Sequence, residues 1–316
     1  MISVIIPVYN EEKSLSSLFQ SIYESLSEAK YDFEIIFVND GSTDASAAVL
    51  DELEKSNSAF VRVVHLLRNY GQTAALSAGI DYSRFEIIVP LDADLQNDPT
   101  DIPLLVSKLN DGYDVVSGWR KDRKDSAIKR NFLSYVANFL IRKITKVKIH
   151  DLGCTLKAYR KEVISDINLY GEMHRFIPIY ASWNGAFRIT ELPVKHHSRK
   201  HGTSKYGTSR IIKVILDLIV VLFLHRYGQK PIYVFGIVGF LNLICSLLCT
   251  GGAIYYKFFA ETYKSLIQTP LPLMASMFFV VGILCILLGL LAELSIRTYY
   301  ESQNKKTYKI RSKNNI

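Results

Sequence analysis

Val89-Pro90-Leu91-Asp92-Ala93-Asp94-Leu95-Gln96 is an apolar run that stops on two carboxylates one residue apart. A short apolar run closed by a polar turn reads as a strand buried on both faces. At the end of an extended segment alternate side chains point the same way. Asp92 and Asp94 are therefore placed to approach one hard cation, which can bridge the phosphate oxygens of a nucleotide. Runs of the same kind recur at residues 3–8, 34–38, 61–66, 86–91 and 114–117, with a further strand expected at 187–192. Between the first two, Leu15, Leu18, Phe19, Ile22 and Leu26 repeat at helical spacing behind Asn10-Glu11-Glu12, a start that suits an N-cap and first turn. Another helix is expected over 126–148, followed by a less regular stretch. Strands alternating with helices predict a doubly wound, Rossmann-like α/β sheet that binds its ligand at the carboxyl ends of its strands.

Two more turns lie on that edge. Asn39-Asp40-Gly41-Ser42-Thr43-Asp44 follows the second strand and Pro7-Val8-Tyr9-Asn10-Glu11 the first. Both put acidic and amide groups where a nucleoside would lie, and Gly41 permits close backbone approach. No GxGxxG fingerprint follows the first strand, which counts against a dinucleotide-binding domain.

The chain has 316 residues, and 22% of them are charged. Its mean hydropathy is nevertheless slightly positive, because apolar residues crowd its C-terminal third. Residues 231–256 and 265–292 form uncharged runs of 26 and 28 residues. Each exceeds the roughly 20 helical residues needed to cross a bilayer. They read as a hairpin of two transmembrane helices at about 231–257 and 270–296. Eight Lys/Arg against Asp217 lie between Lys195 and Lys230, and Arg297, Lys305, Lys306, Lys309, Arg311 and Lys313 against Glu301 follow the second run. The positive-inside rule then puts both flanks, and the N-terminal domain, on the cytoplasmic face of a membrane. The net charge of +8 is read as attraction to anionic lipid, not to nucleic acid. The expected layout is a catalytic domain over 1–208, an interfacial helix region over 209–230 with a third span as alternative, the two spans within 231–297, and a basic tail over 298–316. The N-terminus has no positively charged leader, so no secretory signal is expected. Cys245, Cys249 and Cys285 fall in the spans and Cys154 stands apart, giving neither a disulfide frame nor a zinc site.

Taken together, Ile5-Ile6-Pro7-Val8-Tyr9-Asn10-Glu11-Glu12, Val38-Asn39-Asp40-Gly41-Ser42-Thr43-Asp44, Arg68-Asn69-Tyr70-Gly71-Gln72 and Asp92-Ala93-Asp94-Leu95-Gln96 resemble the family 2 glycosyltransferases of GT-A fold. More narrowly, the chain is similar to the polyprenyl-phosphate glycosyltransferases, a group that includes dolichyl-phosphate mannose synthase and bacterial undecaprenyl-phosphate enzymes. The resemblance implies that Pro7, Tyr9, Glu11, Asp40, Gly71, Asp92, Ala93, Asp94, Gln96 and Arg120 bind the nucleotide sugar. It implies that Asp92, Asp94 and Gln96 hold Mg2+ or Mn2+, and that Asp94, Arg120 and Asp151 are catalytic. Arg199-Lys200-His201-Gly202-Thr203-Ser204-Lys205-Tyr206 matches the family's RxxGxSKY segment. Arg199, Ser204 and Lys205 suit a phosphomonoester in charge and hydrogen bonding, and Arg130 with Ser134 one turn apart would add to that cradle. His196, His197 and His201, in a basic loop, read as solvated or lipid-facing rather than metal-bound.

Asp151 opens Asp151-Leu152-Gly153-Cys154-Thr155-Leu156-Lys157-Ala158-Tyr159-Arg160, which resembles the acceptor-side segment of the family. It could bind a donor-sugar hydroxyl or act as base, although a phosphomonoester is already largely ionised near neutral pH. The expected reaction moves a sugar, with inversion, from a nucleotide diphosphate to polyprenyl phosphate, with UDP favoured over GDP. GDP-mannose use in the manner of dolichyl-phosphate mannose synthase is one alternative, and a non-catalytic membrane scaffold is another. A processive synthase is disfavoured because Trp119 and Trp183 lie in no QxxRW pattern. Whether the chain acts alone or as a homo-oligomer is left open.

Overall fold

The computed structural model describes residues 1–121, 147, 149–165, 167, 173–183, 186, 188–198, 223, 230–259 and 268–302. The chain divides into two compact units, Met1–Ile219 and Val220–Ile316.

The first unit is built on seven strands: β1 (Ile2–Val8), β2 (Phe33–Asn39), β3 (Val61–His65), β4 (Ile87–Pro90), β5 (Val115–Trp119), β6 (Lys157–Arg160) and β7 (Ile189–Pro193). Helices α1 (Leu15–Glu28), α2 (Ser46–Ser56), α3 (Gln72–Tyr82), α4 (Ile102–Asn110), α5 (Lys161–Ile164) and α6 (Ile177–Trp183) join them. The sheet order is β3-β2-β1-β4-β6-β5-β7. β1 is buried on both faces, which is why it reads as an unbroken apolar run. Ile2, Val4, Ile6 and Val8 pack with Leu15, Leu18 and Ile22 of α1, whereas Ile5 packs with Ala75, Leu76 and Ile80 of α3. Such two-sided burial is expected of a parallel strand covered by helices above and below.

The chain passes from β1 outward through β2 to β3 and then returns to β4 on the other side of β1. The carboxyl ends of β1 and β4 thus flank the point where strand order reverses, where open α/β sheets bind ligands. At the opposite edge the polar groups are satisfied internally. Glu34 accepts from Ser3 Oγ at 2.6 Å, from the Arg84 amide at 2.7 Å and from Arg62 Nη1 at 3.1 Å.

Two features depart from the sequence reading. β6 is a strand that no apolar run announces. Lys-Ala-Tyr-Arg wedges between β4 and β5, antiparallel to both, in a sheet otherwise paired in parallel. Its position is set by Ala158 and Tyr159, both buried against the two faces of the core. The second concerns Asn10-Glu11-Glu12, which does not start α1; Ser14 stands at the N-cap. Asn10 has φ +55, a left-handed conformation that short amide side chains tolerate. The three residues lock onto the turn after β2 instead. Thr43 N donates to Asn10 Oδ1 at 2.7 Å, Glu11 N to Ser46 Oγ at 3.0 Å, and Ala45 N to Glu12 Oε2 at 2.9 Å. The helix expected over 126–148 falls largely outside the described residues.

The second unit contains α7 (Ile232–Phe258) and α8 (Leu271–Ser302). Ile232–Phe258 and Leu271–Ile296 are long and apolar enough to cross a membrane, and only 11% and 17% of their most apolar windows are buried. A core helix of a soluble protein would be covered on most sides. The two helices pack through small residues seven apart on each, Gly239 against Gly282 and Ser246 against Ala275, while Gly289 lies against Ile232 and Phe235. A Cβ at Gly239 would lie 2.8 Å from the Gly282 carbonyl oxygen, and Ser246 Oγ donates to the Ala275 carbonyl at 2.8 Å. Small residues allow this backbone approach, and in lipid such packing and hydrogen bonding replace the hydrophobic effect as the force between helices.

Candidate active site

At the carboxyl edge, Asp40 is buried and accepts one main-chain amide on each oxygen. Its Oδ1 accepts the Tyr70 amide at 2.7 Å and its Oδ2 the Gly71 amide at 2.9 Å. Gly41 (φ +66) is needed for this. A Cβ there would sit 2.5 Å from the Arg68 carbonyl carbon, driving the 68–71 loop off Asp40. Gly71 itself (φ +95) is the N-cap of α3. Pro7 lies opposite Val38 one residue before β1 ends at Val8, and Tyr9 and Glu11 follow on the same edge.

The two carboxylates of the opening stretch stand beyond β4, in a turn rather than on the strand. Asp94 Oδ1 accepts the Gln96 amide at 3.1 Å, and Leu95 takes φ +59, so the turn is held by Asp94 itself. Asp92 accepts Gln72 Nε2 at 2.6 Å on one oxygen and Thr155 Oγ1 at 2.5 Å on the other. Burial, then the nearby Asp94 charge, pushes its carboxyl from the ordinary 3.8 up to about 6, against the pull of Thr155, Arg120 and Lys157. Ala93 between them is buried.

The Asp92 and Asp94 carboxylates lie close enough for the charge of one to raise the pKa of the other. Among the described residues no cage of three or more His, Cys, Asp or Glu surrounds the pair. Mg2+ and Mn2+ fit such a site, because they are held by one or two carboxylates with substrate phosphates completing the shell. The raised pKa sets a pH dependence. The folded protein holds the Asp92 proton more tightly than the unfolded chain, so ionising Asp92 weakens the ligand-free fold as pH rises from about 4 to about 6. Conversely a cation must displace that proton below about 6. Mn2+ affinity is expected to fall about tenfold per pH unit below that value, the slope for one proton released. Titrating Mn2+ above and below the pKa checks this, and a flat affinity would contradict it.

Arg120 and Asp151 form one unit. Arg120 Nε donates to Asp151 Oδ2 at 2.7 Å and Nη2 to Oδ1 at 3.0 Å, with both side chains largely buried. The Gly153 amide adds a hydrogen bond to Oδ1 at 3.1 Å. This carboxylate holds a guanidinium in a two-pronged grip, which leaves it poorly suited to take a proton. Arg120's pKa is driven up by that contact despite its burial. Beside the unit, Trp119 stacks on His150 at 5.0 Å between centroids, and His150 pairs with Glu191.

Residues 195–198 run alongside the turn of the two carboxylates. Asn97 and His196 form an antiparallel bridge, His197 N donates to the Gln96 carbonyl at 2.8 Å, and His197 Nε2 meets Asp98 Oδ2 at 3.0 Å. His196 is therefore buried in this pairing instead of solvated, because its backbone is fixed to Asn97. Arg199, Ser204 and Lys205 of the cationic loop, His201, and Arg130 with Ser134, lie outside the described residues.

Four residues at this edge were given no role by sequence. Gln72 and Thr155 hold Asp92, and Lys157 lies buried below. His174 shares a 2.7 Å hydrogen bond with Thr73 and is kept neutral, its pKa lowered to about 3 by burial and then by Arg175 and Lys157. Cys154 is buried and its thiol pushed up to about 11, so it is inert.

A mostly parallel α/β sheet whose carboxyl edge gathers a carboxylate pair, a buried arginine and the Asp40 turn agrees with a glycosyltransferase of GT-A fold. Residues 3–167 match the family described as Glycosyl transferase family 2, and the chain belongs to that family. It is 41% identical over 314 residues to a dodecaprenyl-phosphate galacturonate synthase of Rhizobium johnstonii, covering 98% of this chain and 92% of that one. It is 40% identical over 257 residues to an undecaprenyl-phosphate 4-deoxy-4-formamido-L-arabinose transferase of Pseudomonas fluorescens, covering 81% and 73%. Among solved structures, the glucosyl-3-phosphoglycerate synthase of Mycobacterium tuberculosis with Mn2+, UDP and phosphoglyceric acid shares the fold. Its TM-score is 0.55 at 19% identity, over 71% of this chain and 78% of that one.

Proposed function

We propose that this enzyme transfers a sugar from a nucleotide diphosphate, UDP in preference to GDP, onto polyprenyl phosphate at the cytoplasmic face of a membrane that α7 and α8 span. The product, a polyprenyl-phosphate sugar, would serve cell-envelope glycan or lipid modification. The observation that carries this reading is the bond from His197 N to the Gln96 carbonyl. It holds His197 beside Gln96, two positions beyond Asp94, and the RxxGxSKY segment that continues the sequence from Arg199 is read as the cradle that presents the lipid phosphate to the donor diphosphate. Both relatives above carry polyprenyl-phosphate names, which supports the acceptor. The preference for UDP rests on the 151–160 segment.

In this reading Tyr9, Glu11 and Asp40 face the nucleoside, with Pro7 and Gly71 shaping the ledge. Asp92, Asp94 and Gln96 would hold Mg2+ or Mn2+, which supplies charge neutralisation of the leaving diphosphate. Arg120 faces the donor phosphates, held in pose by Asp151. A phosphate oxygen of the acceptor attacks the anomeric carbon as the bond to the diphosphate breaks on the opposite side, so configuration inverts. No proton need be removed, because the attacking oxygen is already ionised. Alignment and screening of phosphate repulsion by Arg199, Lys205 and Arg130, with Ser134 and Ser204 donating hydrogen bonds, then supply the catalysis.

The test is direct. Purified full-length protein in detergent, given undecaprenyl phosphate, Mg2+ or Mn2+, and UDP- and GDP-linked sugars including galacturonate and formamidoarabinose donors, is expected to yield one glycosylated lipid by mass. Donor hydrolysis without a lipid product, or no turnover of any donor, would sink the proposal.

A further inference from the structure

Lys157 begins β6 opposite Ser117 of β5, and its side chain is buried, the residue being 3% exposed. An ammonium removed from water is strongly disfavoured unless acceptors surround it. Here Nζ donates to the Leu152 carbonyl at 3.2 Å and to the Cys154 carbonyl. Those carbonyls alternate with the groups that reach the site. The Asp151 side chain grips Arg120, the Leu152 carbonyl turns in to Lys157, and the Gly153 amide turns back to Asp151. The Cys154 carbonyl turns in to Lys157 again, and the Thr155 hydroxyl reaches Asp92. A methionine would fill the same space without burying a charge, so packing alone does not account for a lysine at this point. Without the ammonium, two inward carbonyls would have no donor among the described residues, and a buried main-chain acceptor left unpaired costs free energy comparable to a lost hydrogen bond.

We propose that Lys157 is a positioning residue whose ammonium clamps the 151–155 turn from within, setting at once the pose of Arg120 through Asp151 and the pose of Asp92 through Thr155. This rests on the reading that Arg120 and Asp92 serve a donor diphosphate and its cation. Lys157 hydrogen-bonds to neither; apart from the pull of its charge on Asp92, it acts through the turn.

Two variants of the full chain test it, Lys157→Met and Lys157→Arg. In the ligand-free protein, amides 152–156 of Lys157→Met are expected to exchange at least about tenfold faster than in wild type, with β1 and β2 unchanged. Calorimetric affinity for UDP in the presence of Mn2+ is expected to drop about tenfold in the same variant, and Lys157→Arg, which keeps charge and donors, should recover most of both. Wild-type exchange and wild-type UDP affinity in Lys157→Met would overturn the proposal. Should wild-type protein bind no UDP with Mn2+, the donor-site reading falls, and the exchange data alone decide the clamp. Should Lys157→Met not fold, wild-type exchange decides. Protection of 152–156 equal to that of β6 supports the clamp, and rates typical of a surface loop overturn it.

Discussion

Asp94→Asn is expected to lower metal-dependent turnover by about a thousandfold or more, equivalent to about 4 kcal/mol of lost transition-state stabilisation. Membrane extraction, folding and the turn itself should be unaffected. The reason lies in what asparagine keeps. Its Oδ1 can still accept the Gln96 amide that Asp94 accepts at 3.1 Å, so the 92–96 backbone has no cause to move. It loses the charge that the proposed cation site requires. A second signature follows from the same loss. Because the Asp94 charge helps to raise Asp92, the Asp92 pKa should fall from about 6 toward its ordinary value in the variant. Turnover measured against Mn2+ concentration, with the Asp92 titration followed by NMR, checks both. Wild-type activity in Asp94→Asn would refute the role.

Asp151→Asn is expected to reduce kcat about a hundredfold, equivalent to about 2.7 kcal/mol of lost transition-state stabilisation. Asparagine offers one oxygen where Arg120 requires two, and turns an NH2 toward a guanidinium that donates on both prongs. Arg120 would then be left buried and half-partnered, free to swing from the donor phosphates. A double-mutant cycle separates this from a base. If Asp151 acts only through Arg120, Arg120→Ala with Asp151→Asn loses no more than Arg120→Ala alone. Independent, additive losses would show that Asp151 does chemistry of its own, such as binding a sugar hydroxyl.

Much of the first unit was legible in the chain because two-sided burial leaves a mark on consecutive residues. Ile5 and Ile6 face opposite layers, yet both must be apolar, so the strand announces itself. The two apolar helices of the second unit read just as plainly, since a helix apolar enough to cross a membrane carries few charges, here Lys257 and Glu293 near the ends of the candidate spans. β6 left no such mark. Two of its four residues are cations, one of them Lys157, buried for its hydrogen bonds and not for its hydropathy. Asn10-Glu11-Glu12 misled for a related reason. An N-cap and a loop clasp use the same side chains, and only the partner, 32 to 35 residues away, tells them apart.

Sequence alone therefore determined the layered α/β core, the placing of acids at one edge, and two spans flanked by cations, since each follows from the hydropathy or charge of neighbouring residues. Only the tertiary structure decided what those acids do. Asp92 is clasped by Gln72 and Thr155, 20 and 63 residues away, and Asp151 is bound to Arg120 across 31. A hydrogen bond between distant side chains depends on where folding brings two atoms, and the local pattern of the chain holds no record of that distance.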